Sequence, residues 1–166
     1  MYKHILLITV CVVCIGMIRS SSAARIGGLM GFGHYWAEGG GLSGFALSGY
    51  VDLLSGAFDI SPTVSYWIGS EYGIGVSDLT PGIALKYYFP APGAKAVPYI
   101  GFEPQLHILS VLGFTESYFG FSAFAGVGVN VSKSTQIPIQ ASYGLIFGEG
   151  STLNNFTVKA GVAVNL

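Results

Sequence analysis

Charge is what this chain has least of: 9% of its 166 residues are Asp, Glu, Lys or Arg, beside 51% that are hydrophobic. A water-soluble domain ordinarily charges about a quarter of its residues, so a fully solvated exterior is hard to build from this composition. Cysteine is almost as scarce. The two present, Cys11 and Cys14, sit in an N-terminal apolar run and none follows, so the body of the chain has no disulfide and no thiolate metal site. Basic runs are missing, which argues against nucleic acid as a partner. No His, Asp and Glu cluster at ligand spacing, so neither a metal nor another cofactor is expected. After Arg25 there is also no uninterrupted apolar stretch of the ~20 residues that a membrane helix requires. Apolar composition without apolar segments leaves alternating strands.

What is present begins with a targeting segment over 1–24. Lys3 gives a basic start, 5–18 is an apolar core, and Ser22, Ala23 and Ala24 are small residues suited to cleavage before Arg25, the pattern of a secretory signal peptide. The core is too short to anchor the chain as a membrane helix. Bulky Val10 and Val13 directly before the cysteines argue against a lipoprotein. Lys3 and Arg19 leave with the segment, so the domain over 25–166 is net acidic, and it is long enough for one packed interior.

The last stretch, 155–166, sets the pattern for the rest. Phe156, Val158, Val162, Val164 and Leu166 share one parity, against Thr157, Lys159, Gly161 and Asn165 on the other, the period of a strand with one greasy face. Seven further strands are predicted over 25–37, 43–54, 57–69, 79–89, 97–112, 118–131 and 136–147. Each turns its larger apolar residues to one side: Phe45, Leu47, Val51 and Leu53 against Ser48, Tyr50 and Asp52, for example. Composition marks 38–41, 70–78, 113–117 and 148–154 as loops, carrying Glu38, Glu71, Asp78, Glu116 and Glu149 as an acidic rim. Glycine runs such as Gly27-Gly28 lie within strands and precede no helix, so they are packing positions rather than phosphate loops.

Eight strands make an even number, and the predicted spans suit the ~9–11 residues that cross a bilayer at a tilt. The fold expected is therefore all-β: an eight-stranded antiparallel up-and-down transmembrane β-barrel. Tyr87 and Phe89 near one end, and Trp36, Phe119, Phe121 and Phe147 near the other, would form its interfacial girdles. Pro62, Pro81, Pro104 and Pro138 each remove a ladder donor, and Pro104, well inside its strand, predicts a bulge or a local break.

A barrel of this size has an interior that side chains fill. The inward parity carries Asp52, Asp59, Lys86, Glu103, Gln105, His107 and Lys159, with Asn130 and Gln140, and reads as a structural polar network in which two lysines offset three carboxylates. A proton or ion path through Glu103 and His107 is the lesser reading. His34, beside Tyr35 and Trp36 near a strand end, reads as an interfacial residue. His107 and Ser110 resemble the histidine and serine of outer-membrane lipid A deacylases, but a spacing of three puts them on opposite faces of a strand. No catalytic residue is expected.

Over 82–102 and 120–166 the chain resembles the small outer-membrane β-barrel superfamily that includes the transmembrane domain of outer membrane protein A. Lys86-Tyr87-Tyr88-Phe89-Pro90, Pro98-Tyr99-Ile100-Gly101 and Ala125-Gly126-Val127-Gly128-Val129 carry the resemblance. It implies insertion by the barrel-assembly machinery of a Gram-negative bacterium. The family usually ends in an aromatic; Leu166 takes that place here.

The function expected is that of a monomer in the bacterial cell outer membrane, surrounded by its lipid, with a structural or surface-interaction role, possible host or cell-surface ligands at the loops, and no catalysis. The alternative is a soluble lipocalin-like carrier of a small hydrophobic ligand, which would turn its apolar side chains inward. A lipid-modifying enzyme would need a histidine and a nucleophile adjacent on the outward face.

Overall fold

The structure is a computed structural model that describes residues 24–37, 39–71, 74–89, 93–148 and 151–166. The targeting segment lies outside them except for Ala24. Eight strands, β1 (Ala24–Ala37), β2 (Gly40–Ser55), β3 (Phe58–Glu71), β4 (Ile74–Tyr88), β5 (Ala96–Val111), β6 (Phe114–Asn130), β7 (Thr135–Gly148) and β8 (Ser151–Asn165), pair in sequence order. They close into a barrel, β1 pairing with β8 antiparallel.

Register fixes the barrel's shape. From Ala24, successive partners Leu53, Ile60, Leu85, Phe102, Ala123, Tyr143 and Phe156 lead back to β1 at His34, ten residues further along. An offset of that size on eight strands tilts them about 40° from the axis.

The parity expected from the sequence holds around the wall. Phe32, Leu47, Val64, Leu85, Phe102 and Val158 stand exposed on the outside, while Tyr50, Asp52, Trp67, Lys86, Glu103 and His107 are buried within. A soluble barrel would reverse this, so the outer wall is one that lipid covers. Outward aromatics gather in two bands. Phe58, Tyr87 and Phe89 touch near the end that holds both termini; Trp36 with Tyr143, and Phe121 with Phe147, touch toward the other.

Each described break in pairing lies beside a proline: Pro62 on the β2–β3 seam, Pro81 and Pro104 on the β4–β5 seam, Pro138 on the β7–β8 seam. Register is the same on both sides of every break, so Pro104 makes a local gap and no bulge. Its other neighbour stays paired, Pro104 with Phe121. A missing N–H costs one seam its bond and leaves the opposite seam whole.

All the strands but β5 are longer than predicted, and they run 14 to 17 residues. Consequently 70–78, 113–117 and 148–154, expected as loops, are mostly strand, and the four connections opposite the termini are two residues long. Leu112 and Gly113, with φ of 51° and 84°, make one of them; both central residues are left-handed, as a two-residue hairpin needs.

Candidate functional site

Strand alternation delivers polar side chains to the lumen from every wall, and in low dielectric they must find one another. At the end holding the termini they converge on Asp52. Lys86 Nζ donates to its Oδ1 at 2.6 Å, as does the Ser61 hydroxyl at 2.6 Å, and Arg25 Nε donates to Oδ2 at 3.0 Å. Arg25 also donates to Gln136 at 2.7 Å, Tyr88 at 3.1 Å and Asp59 at 3.4 Å. Its guanidinium lies over the Tyr88 ring, and Lys86 Nζ sits 4.0 Å from the centre of the Tyr50 ring.

Arg25 corrects the expected count. The network was expected to balance three carboxylates with two lysines, yet a buried arginine bridges Asp52 and Asp59, and the lumen holds a fourth carboxylate, Asp78. Arg25 has inward parity with Gly27 and Leu29, a signal obscured by its position next to the expected cleavage point.

Midway along the axis, Glu103 is buried and accepts from Thr63, Lys159 donates to Ser48 at 3.0 Å, and Tyr99 donates to Gln140 at 3.3 Å. Further along, His107 Nδ1 lies 2.6 Å from Asp78 Oδ2, which also accepts from the Tyr35 hydroxyl at 3.0 Å. Asp78 was expected on the acidic rim; β4 begins at Ile74, so it falls on the inward face and is fully buried. Glu38, Glu149 and the Glu71 side chain lie outside the described residues. Glu116 is exposed on β6.

Above His107 the lumen is stoppered. Tyr35, Ala46, Trp67 and Ile146 form a buried cluster, with Leu42, Val76, Tyr118 and Leu153 packed on it. Below it lie two cavities of about 30 and 20 Å³, bordered by Gln105, His107 and Lys159 and by Glu103 and Lys159 respectively, each with room for about one water. Glu103 and His107 thus sit in separate compartments of a packed interior.

Beyond the upper aromatic band the outer wall turns largely polar, with Ser43, Ser70, Ser77, Ser110, Thr115 and Ser117 facing outward. Inward positions there are mixed: Leu42, Val76 and Leu109 beside Glu116, with Ile74, Val111 and Phe114 exposed at the rim. The barrel therefore carries a collar with a polar outer face on a shaft with an apolar one. Between the β5–β6 and β7–β8 hairpins the collar opens into a cleft of about 910 Å³, floored by Ile146 and Leu153, walled by Leu109 and Tyr118, and edged by Glu116 and Ser151.

Two outward groups meet at the base of the collar. His34 Nδ1 lies 2.9 Å from Ser43 Oγ, its cross-strand partner, and the imidazole stacks on Trp36. A depression lined by Trp36, Gly41 and Phe156 adjoins them. By contrast, His107 is buried inside and Ser110 bonds Thr115 on the outside, so those two do not meet.

No family model and no protein of curated function matches the sequence. Among solved structures, Neisserial surface protein A is similar with a TM-score of 0.77 at 15% identity, over 87% of this chain and 99% of that one. The outer membrane enzyme PagL is similar at 0.59 and 13% identity, over 82% and 97%. The N-terminal β-barrel domain of Pseudomonas aeruginosa OprF is similar at 0.53 and 18% identity, over 88% and 98%. At these identities the likeness is one of fold: this chain has the eight-stranded barrel of small outer-membrane proteins.

Proposed function

We propose that the protein is a monomeric outer-membrane barrel, inserted by the barrel-assembly machinery, that conducts nothing and presents its collar as an interaction surface outside the cell. The carrying observation is the lumen: charges paired about Asp52, single-water cavities beside Lys159, and an aromatic stopper at Trp67. The outward apolar shaft speaks against the soluble carrier, which would expose charge where Leu47 and Val64 stand. Purified protein in planar bilayers is expected to show no unitary current. Regular conductance steps that disappear in an Asp78→Asn variant would replace this reading with an ion path.

A second reading has one observation in its favour: the His34–Ser43 contact supplies the outward histidine and nucleophile that a lipid ester hydrolase requires. Histidine would take the Ser43 proton as the hydroxyl attacks an acyl carbonyl at the membrane surface. Among the described residues no carboxylate bonds the His34 ring to orient it as a base. Ser43 is accordingly expected to resist a fluorophosphonate probe in detergent; covalent labelling that Ser43→Ala and His34→Ala each abolish would favour the enzyme.

A further inference from the structure

Charge that reaches the surface of the barrel is sorted by sign along its axis. Arg25, Lys86 and Lys159 face the lumen, and the other two basic residues of the domain, Lys95 and Lys133, are both exposed in turns at the end that holds the termini. No acid occurs over 79–102 or 117–148, so neither turn carries a carboxylate, and among the described residues neither ammonium is in an ion pair. Glu116, the exposed acid of the described residues, lies at the opposite end. Backbone bonds set the two turns at the foot of β6. The Asn130 amide donates to the Lys95 carbonyl at 2.7 Å, and Val131 donates to Thr135 at 3.0 Å across the turn that holds Lys133.

Above the two lysines the outer wall is hollow. Ala123 and Ala125 of β6 stand beside Ala141 of β7, between the larger Ile100, Phe102 and Tyr143 on the same rows. A groove of about 960 Å³ passes over them. Phe102 bounds it above by touching Phe121, ring centres 5.5 Å apart. Below, the outward pair Pro98 and Val127 leads down the β5–β6 seam to the turns. From Val129 to Ala123 is about 20 Å along the strand and about 15 Å in depth at this tilt, the thickness of one leaflet of hydrocarbon.

We propose that the groove and the two lysines form one site for an anionic phospholipid of the leaflet nearest the termini, with its phosphate between Lys95 and Lys133 and one acyl chain over Ala125. The proposal rests on the outer-membrane reading and adds a ligand on the side away from the collar. An acyl chain lying over the alanines gains dispersion contact with the larger side chains flanking them, which a lipid against a filled wall lacks. Each unpaired ammonium at the interface favours an anionic headgroup about fivefold. Ser132 and Ser134, exposed on either side of Lys133, offer hydroxyl donors to the same phosphate. A second copy of the chain fits poorly there: twofold pairing through this face sets hollow against hollow and brings the lysines toward their own equivalents, with no acid in either turn. An anionic headgroup in the opposite leaflet would meet Glu116. A neutral phospholipid would use the groove and leave both ammonium groups unmatched.

The test uses the full barrel in phosphatidylcholine nanodiscs that carry a small fraction of phosphatidylglycerol with a photoreactive diazirine midway along one chain, the crosslinks being mapped by mass spectrometry. Label is expected to concentrate on 123–125 and 139–143, and unlabelled phosphatidylglycerol is expected to displace it about tenfold better than added phosphatidylcholine. Lys95→Gln combined with Lys133→Gln is expected to abolish that preference while label stays on the groove. Ala125→Phe, a change on the lipid face that leaves the lumen untouched, is expected to clear label from the groove. Label spread evenly over outward residues such as Phe32 and Val64 overturns the proposal, because that is ordinary boundary lipid. So do equal displacement by the two lipids, a preference that survives the double lysine change, and crosslinks through Ala125 between two copies. In each of those cases a barrel still embedded in the disc leaves the outer-membrane reading standing, whereas a protein that stays folded in buffer without lipid or detergent would sink that reading and this one together.

Discussion

Replacing Asp52 with alanine is expected to destabilise the folded barrel by about 3–5 kcal/mol, the cost of stranding a buried partner charge. Asp52 is fully buried and receives both Arg25 and Lys86 as well as Ser61. Removing it leaves two cations with Asp59 as their one described carboxylate, and Asp59 already lies 3.4 Å from Arg25. Urea titration in phospholipid vesicles, followed by the fluorescence of buried Trp67 against an unaltered outer wall, measures the loss. A triple change of Arg25, Asp52 and Lys86 to leucine, leucine and methionine is expected to recover most of it, because the penalty belongs to unpaired charge rather than to missing contacts. A loss below 1 kcal/mol for Asp52→Ala would mean that water reaches the cluster and the lumen is open at that end.

Val64→Arg is expected to cost about 2–4 kcal/mol in the same titration, and Phe58→Arg less than about 1 kcal/mol. Both residues face outward on β3, but Phe58 touches Tyr87 in the aromatic band while Val64 lies between the two bands. The difference measures depth in hydrocarbon. On the wall of a soluble carrier both changes would fall within about 0.5 kcal/mol of zero. Equal small costs would therefore overturn the membrane assignment of the shaft, and with it the reason that charge is so scarce in this sequence.

Period-2 alternation by itself determined the number of strands and the facing of most of the lumen's side chains. Asp52, Asp59, Lys86, Glu103, Gln105, His107 and Lys159 could be assigned inward because parity along a strand is a local property that survives any error in where the strand ends. Strand length was not local in that sense. The signal sought was apolar outside and polar inside, and above the upper aromatic band the outer wall turns polar, so Ser77, Thr115 and Ser117 read as loop although alternation continues through them. Asp78 and Glu116 were misplaced with them, because 70–78 and 113–117 read as loops, although both residues keep the inward parity of their strands. Only the closed barrel decided the rest. It put Arg25 of β1 against Asp52 of β2 and Asp59 of β3, and stacked Tyr35 on Trp67 to seal the bore. Those facts depend on the register offset around eight strands, a sum over every seam that no single stretch of sequence contains.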